Sequence, residues 1–247
     1  MPFWWESRCF GRTTRPRPPR RSSVCRAWGE AVRDGPRVKI CGLTRNEDAR
    51  EAEALGADLL GFVLTAGFGR SVDPANAPAV VHGTTLPRVA VLVDEPPSRA
   101  AELANGIDAG VIQLQGSESR EMVRAVRELG SWTLWKAVRA RDASDVVRVV
   151  DTFGDLVDGF LVEGWREGVV GGGGVTVEVG ADEVRSAVPD AFDFVLAGGL
   201  APGSLAEAVA RFRPDVVDVS SGVERAPGVK SPALVAAFIR AARPGER

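Results

Sequence analysis

Eight short apolar runs punctuate the chain from Val38 onward. They are VKICG, LLGFVL from Leu59, RVAVLV from Arg88, VIQLQG from Val111, WTLWKAV from Trp132, GFLVEG from Gly159, FVLAGG from Phe194 and VVDVSSG from Val216. Most are almost continuously apolar and rich in β-branched residues, the pattern of strands buried on both faces. Between them lie helical patterns: NEDAREAEALG, PANAPAVV, PPSRAAELAN, SESREMVRAVRELG, ARDASDVVRVVD, ADEVRSAV, PGSLAEAVARF and SPALVAAFIRAA. Several begin with Ser, Asn or Pro and several end near Gly, which are helix start and stop signals. Thr44 or Asn46 is the expected cap of the first. Strict alternation of strand and helix implies a parallel sheet. Successive runs start about 20 to 35 residues apart, and eight such units in about 210 residues predict a single (β/α)8 TIM barrel over residues 37–247. An open doubly wound sheet is the alternative.

The first 36 residues break this pattern. They hold Arg8, Arg12, Arg15, Arg17, Arg20, Arg21, Arg26 and Arg33 against only Glu6, Glu30 and Asp34, and RTTRPRPPRRSS has no apolar period. This composition predicts a disordered basic N-terminal extension, a tail outside the fold. A transit-like segment is the second reading. A nucleic-acid arm is disfavoured, because Trp4, Trp5 and Trp28 are not interleaved with the basic cluster.

The net charge of the whole chain is only −2, so no global field favours nucleic acid or membrane partners. No run reaches the ~18 apolar residues of a membrane span. Cys9, Cys25 and Cys41 are too few for a disulfide framework, which points to a reducing cytoplasm. They and the lone His82, expected in a surface loop, lack metal-ligand spacing, so no metal is expected. Neither a Walker loop nor a GxGxxG follows any strand. The expected state is a monomer.

In a (β/α)8 barrel the site lies at the C-terminal strand ends. Polar residues at those ends are Cys41, Gln115, Glu163, and Asp218 with Ser220 and Ser221. Side chains alternate along a strand, so Lys39 and Cys41 share a face, as do Asp218 and Ser220. The last two strand ends carry AGGL (Ala197–Leu200) and SSGVE (Ser220–Glu224). Glycines there let backbone N–H groups approach an anion, and these two loops are the usual phosphate position of the fold.

Taken together, KICGLT, GADLLGFV followed by Arg70 in GFGRSVDP, VAVLV, VIQLQG, LAGGL and DVSSGVERAPGVK resemble the phosphoribosylanthranilate isomerase family of tryptophan biosynthesis. The resemblance spans residues 38 to about 240. It implies a cofactor-free Amadori rearrangement of a phosphorylated aminoaldose, N-(5-phosphoribosyl)anthranilate, to the 1-deoxyribulose 5-phosphate aminoketose. By the same resemblance Cys41 is the general base that takes the proton from the sugar C2. Glu163 matches the general acid that opens the furanose. Arg70 matches the arginine that holds the anthranilate carboxylate, and Asp218 the aspartate near the substrate's amine. Gly198, Gly199, Ser221 and Gly222 match the phosphate loops. Lys39 and Arg70 are expected to favour the thiolate of Cys41.

Three positions depart from the family pattern. Its acid is an aspartate, where this chain has Glu163, one methylene longer. Its fourth strand often ends QLHG, where Gln115 replaces the histidine and is expected as a substrate contact. An amide keeps that residue's hydrogen bonds but not its acid–base chemistry. The loop after the sixth strand usually reads Gly-Gly-Thr-Gly; here Gly171 to Gly174 keep the glycines and Thr176 is displaced. Two other readings remain at this point. One is another phosphosugar barrel enzyme, such as a Schiff-base aldolase, although no lysine ends the sixth or seventh strand and Lys136 reads as a structural charge inside the barrel. The other is a drifted barrel that only binds a phosphorylated ligand.

Overall fold

The computed structural model describes residues 35–164 and 180–243. The expected N-terminal extension, apart from Gly35 and Pro36, and the Gly171–Gly174 run with Thr176 lie outside the described residues.

Eight parallel strands close into a barrel in chain order. They are β1 (Arg37–Ile40), β2 (Leu59–Val63), β3 (Arg88–Leu92), β4 (Val111–Leu114), β5 (Thr133–Ala140), β6 (Gly159–Gly164), β7 (Asp193–Leu196) and β8 (Val216–Val219). The helices that alternate with them are α1 (Asn46–Ala54), α2 (Ala77–Val81), α3 (Pro97–Gly106), α4 (Arg120–Leu129), α5 (Ala143–Phe153), α6 (Ala181–Ala187), α7 (Leu205–Phe212) and α8 (Pro232–Ala242). The ring closes where β1 pairs with β8, with Lys39 opposite Asp218. A closed sheet leaves no edge to protect, and the open-sheet alternative is set aside. A further hairpin, β9 (Glu224–Ala226) and β10 (Val229–Lys230), stands outside the barrel and was not predicted.

Alternation along the strands divides the core in two. One set of side chains packs outward under the helices. The other fills the barrel with Leu59, Val89, Val111, Trp135, Leu161, Val195 and Val216. At the N-terminal end the Trp135 indole N–H donates to Asp193 at 3.1 Å, and Arg37 pairs with the same carboxylate at 3.0 Å. The floor is thus sealed by satisfied polar groups, and the opposite end is free to carry chemistry.

Local details differ from the sequence expectations. Ser119 and Asp142 cap α4 and α5 through their side chains, but neither Thr44 nor Asn46 caps α1. Thr44 Oγ1 donates instead to the Gly228 carbonyl at 2.7 Å, and Asn46 donates to the carbonyls of Val80 and His82. Tertiary partners outcompete the local cap. Lys136 is not inside the barrel: Trp135 and Ala137 take the inward positions of β5. Its ammonium lies outside, paired with Glu118 at 2.9 Å and bonded to backbone carbonyls. Among the described residues no helix is long and apolar enough to cross a membrane.

Candidate active site

At the C-terminal end of the barrel lies a cleft of about 920 Å³, open solvent at its mouth included. Cys41, Arg70, Gln115, Glu163 and Asp218 all line it, and so do Gly198, Gly199, Ser221 and Gly222. These nine candidates therefore meet in one place, on loops and strand ends of β1, β2, β4, β6, β7 and β8.

Cys41 follows β1, anchored by its N–H to the Val219 carbonyl at 2.8 Å. Its thiol is buried and unbridged. Opposite it on β2 is Gly61, where a Cβ would lie 2.9 Å from the sulfur and 3.0 Å from Lys39 Cε. Glycine at that position makes the room the thiol occupies. Burial, and after it the charge of Asp218, pushes the thiol above its ordinary range, outweighing Lys39 and Lys230. Lys39 favours the thiolate, as expected, but burial and Asp218 outweigh it. The ammonium of Lys39 is committed to Asp218 at 2.8 Å and to Gln113 at 2.9 Å. Burial opposes its charge, but Asp218 and Cys41 more than compensate and Lys39 titrates above its usual value.

From Lys39 a hydrogen-bond chain crosses the barrel mouth. Gln113 donates to Gln115 at 2.5 Å, and Gln115 donates to Glu163 Oε1 at 2.8 Å. Its direction is forced. An ammonium has donors and no acceptor, so Gln113 must turn its oxygen to Lys39 and its NH2 onward, and Gln115 inherits the constraint. Arg139, at the end of β5, also donates to Glu163 Oε1 at 3.4 Å and to the Gln115 carbonyl at 3.0 Å. With Oε1 accepting, a proton on this carboxyl sits on Oε2. Burial raises the Glu163 pKa against the pull of Arg139. Burial thus raises the proton affinity of both the thiol and the carboxyl, and both face one cleft.

On the β2 side, Arg70 crosses Gly42, whose φ of +68° and lack of Cβ are both required: a Cβ would lie 2.6 Å from Arg70 Cδ. Phe68, Val63, Val91 and Leu161 give this part of the cleft an apolar wall suited to an aromatic ring. On the other side, Gly198 and Gly199 adopt φ of +88° and +65°, turning the β7 loop toward the cleft. A Cβ on Gly222 would collide with the Leu200 carbonyl, so glycine lets the two loops meet.

Sequence reading missed Gln113, Arg139, Glu224 and Lys230. Gln113 shares its face of β4 with Gln115 two positions on, a period-2 signal that was available. Glu224 and Lys230 lay inside a motif already noted, without an assigned role. Nothing in the sequence singled out Arg139. Among the described residues no cluster of His, Cys, Asp or Glu is arranged to hold a metal.

The family model for N-(5'phosphoribosyl)anthranilate (PRA) isomerase matches residues 38–241. A curated relative, N-(5'-phosphoribosyl)anthranilate isomerase of Chromohalobacter salexigens, is 39% identical over 206 residues, covering 82% of this chain and 92% of the relative. The crystal structure of phosphoribosyl anthranilate isomerase from Thermotoga maritima superposes with a TM-score of 0.74 at 32% identity, covering 84% of this chain and 98% of that one. A second solved structure of such an isomerase, in complex with reduced 1-(o-carboxyphenylamino)-1-deoxyribulose 5-phosphate, gives a TM-score of 0.70 at 30% identity, covering 84% and 98%.

Proposed function

The chain belongs to the N-(5'-phosphoribosyl)anthranilate isomerase family, and we propose that Cys41 and Glu163 divide the two proton transfers of its rearrangement. Glu163 gives the Oε2 proton to the furanose ring oxygen. The anilino nitrogen pushes its lone pair toward C1, the C1–O bond breaks, and an iminium forms. Cys41, as thiolate, then takes the C2 proton. The electron pair of that C–H bond neutralises the iminium and leaves an enaminol, which tautomerises to the aminoketose. Protons lost and gained balance, and no cofactor takes part.

Asp218 gives this sequence its timing. In the free enzyme burial, and then the charge of Asp218, raise the thiol's pKa against the pull of Lys39. An iminium beside Asp218 neutralises that carboxylate, so the field of Lys39 acts on Cys41 unopposed. The base becomes a thiolate when a C2 proton is ready to leave. Arg70 takes the anthranilate carboxylate, the apolar wall takes the ring, and the loops of Gly198, Gly199, Ser221 and Gly222 take the phosphate. Gln115 holds the acid in place.

The observation that carries this reading is the placement of Cys41, Glu163, Arg70 and both glycine loops on one cleft. The protein is expected to act as a monomer in the cytoplasm. Among the described residues, the large exposed apolar side chains Leu129, Val147 and Leu234 are scattered over α4, α5 and α8, which favours a monomer. Residues 37–247 are the proposed catalytic unit. The test generates the substrate in situ and follows loss of its fluorescence. Cys41→Ser is expected to lower kcat by about 10²–10⁴-fold, the usual worth of a general base. A folded Cys41→Ser protein that keeps more than a tenth of the activity overturns the assignment.

A further inference from the structure

The hairpin outside the barrel has no part in closing the sheet, yet it is fastened firmly to the active-site end. The Gly228 carbonyl accepts from Thr44, and the Lys230 N–H donates to the buried Asp48 at 3.1 Å. Its register places Lys230 directly across from Glu224. Their side chains pair at 2.8 Å, and each is almost fully buried. Lys230 also donates to the Ser220 carbonyl at 3.1 Å. Glu224 also reaches out of the hairpin: Arg70 Nε donates at 2.8 Å to the oxygen that Lys230 holds, and Nη2 at 2.7 Å to the other. A cross-strand ion pair is thus extended into a triad whose third member comes from the loop after β2.

Two features of the triad are more than packing. A guanidinium has five N–H donors in a rigid plane. Glu224 occupies the Nε edge, which leaves the Nη1–Nη2 fork for a second carboxylate, oriented by the first. An arginine neutralised by one glutamate would hold little charge for an incoming anion. Lys230 changes that balance, because two cations to one anion leave the cluster with a positive charge. Burial opposes the charge on Glu224, but the bonds from Arg70 and Lys230 keep its carboxyl below the usual range. Burial likewise lowers the pKa of the Lys230 ammonium, which Glu224 pulls back up.

We propose that Glu224 and Lys230 are positioning residues for Arg70: Glu224 aims its free fork into the cleft, and Lys230 supplies the charge that makes the cluster selective for an aryl carboxylate. This rests on the reading that Arg70 takes the anthranilate carboxylate. The β9–β10 hairpin is then a specificity element, with its two charged ends in register for this purpose.

The test measures affinity by calorimetry for two ligands, reduced 1-(o-carboxyphenylamino)-1-deoxyribulose 5-phosphate and its phenylamino counterpart without the carboxyl group. The ratio of the two affinities is the carboxylate preference, expected at about 10- to 100-fold from the usual strength of a charge-assisted bond. Arg70→Ala should abolish it. Glu224→Asp conserves every charge but withdraws the carboxylate by one methylene, and should lower the preference at least fivefold. Lys230→Met leaves the Arg70–Glu224 pair but removes the excess charge, and should do the same. In both, the phenylamino ligand should bind within threefold of wild type, and KM should rise with kcat little changed, the mark of lost ground-state binding. A structural role alone would lower both affinities together. Should Lys230→Met not fold, the conservative Glu224→Asp decides the matter. If Arg70→Ala loses the preference while Glu224→Asp keeps it, the proposal is overturned and the role of Arg70 stands. If Arg70→Ala itself keeps the preference, the reading of Arg70 falls and the proposal falls with it.

Discussion

Replacing Glu163 with glutamine separates the two proton requirements of the reaction. Counted from the free enzyme, the reacting state has lost the Cys41 proton and kept the proton of Glu163. Burial, then Asp218, pushes the thiol up; burial pushes the carboxyl up against the pull of Arg139. The thiol starts from the much higher ordinary value, so between the two pKa values most molecules carry the opposite pattern, thiol and carboxylate. Across that window each pH unit multiplies the thiolate tenfold and divides the protonated carboxyl tenfold. The product is constant, and wild-type kcat/KM should be flat. Glutamine at 163 removes the second factor. The variant should be slower by about 10²–10⁴-fold, and its residual kcat/KM should rise about tenfold per pH unit from pH 7 to 9, roughly 100-fold in all, with no falling limb. In that range the substrate's phosphate no longer titrates, its second pKa being about 6. Fluorescence loss in buffers of constant ionic strength gives both profiles. A flat profile for Glu163→Gln would mean that Cys41 is already a thiolate at pH 7, refuting the argument from burial and Asp218. A falling limb that survives in the variant would place the acid elsewhere.

Two further outcomes follow from the packing. Gly61→Ala puts a methyl 2.9 Å from the Cys41 sulfur and 3.0 Å from Lys39 Cε, and both must shift. We expect kcat to fall about 100-fold, the usual consequence of displacing a reacting group by an ångström, with an unchanged circular dichroism spectrum; near-wild-type turnover would show that the thiol need not stay where it is. Gln115→His and Glu163→Asp should each lower kcat alone, because Gln115 and Glu163 share a 2.8 Å hydrogen bond. Together they should lower it less than the product of the single effects, with a coupling of about 0.5–3 kcal/mol in the double-mutant cycle, whereas strict additivity would show that the contact does not matter to the acid.

Much of this architecture was legible in the chain. The eight apolar runs became the eight barrel strands, shifted by a residue or two, because buried parallel strands leave an unbroken apolar signature. Cys41 and Glu163 were singled out because strand ends are where such barrels place polar groups, and both line the cleft. The hairpin was not, since β9 and β10 are held by tertiary contacts to Thr44 and Asp48 rather than by their own short sequences. Lys136 was placed on the wrong face because nothing local fixes the phase of an eight-residue strand; the burial of Trp135 inside the barrel does. The net effect on the thiol was out of reach for a related reason. Sequence puts Lys39 beside Cys41, but only closure of β8 onto β1 brings Asp218 to cancel that charge.

Gln115 and Glu163 look like two separate departures from the family pattern, 48 positions apart in the chain. In the fold they are one contact. The residue at 115 must accept from Gln113 and donate to the acid, and a neutral imidazole also has one acceptor and one donor nitrogen. Glutamine meets the same demand with its carbonyl oxygen and NH2. It differs in one respect: it cannot take up a proton. With an imidazole in the relay, protonation would turn its acceptor into a donor and set it against Gln113. With Gln115, nothing between the Lys39 ammonium and Glu163 titrates, and the chain keeps its direction across the working pH range. The pH dependence of the free enzyme is then left to Cys41 and Glu163, which is why removing one of them should expose the other.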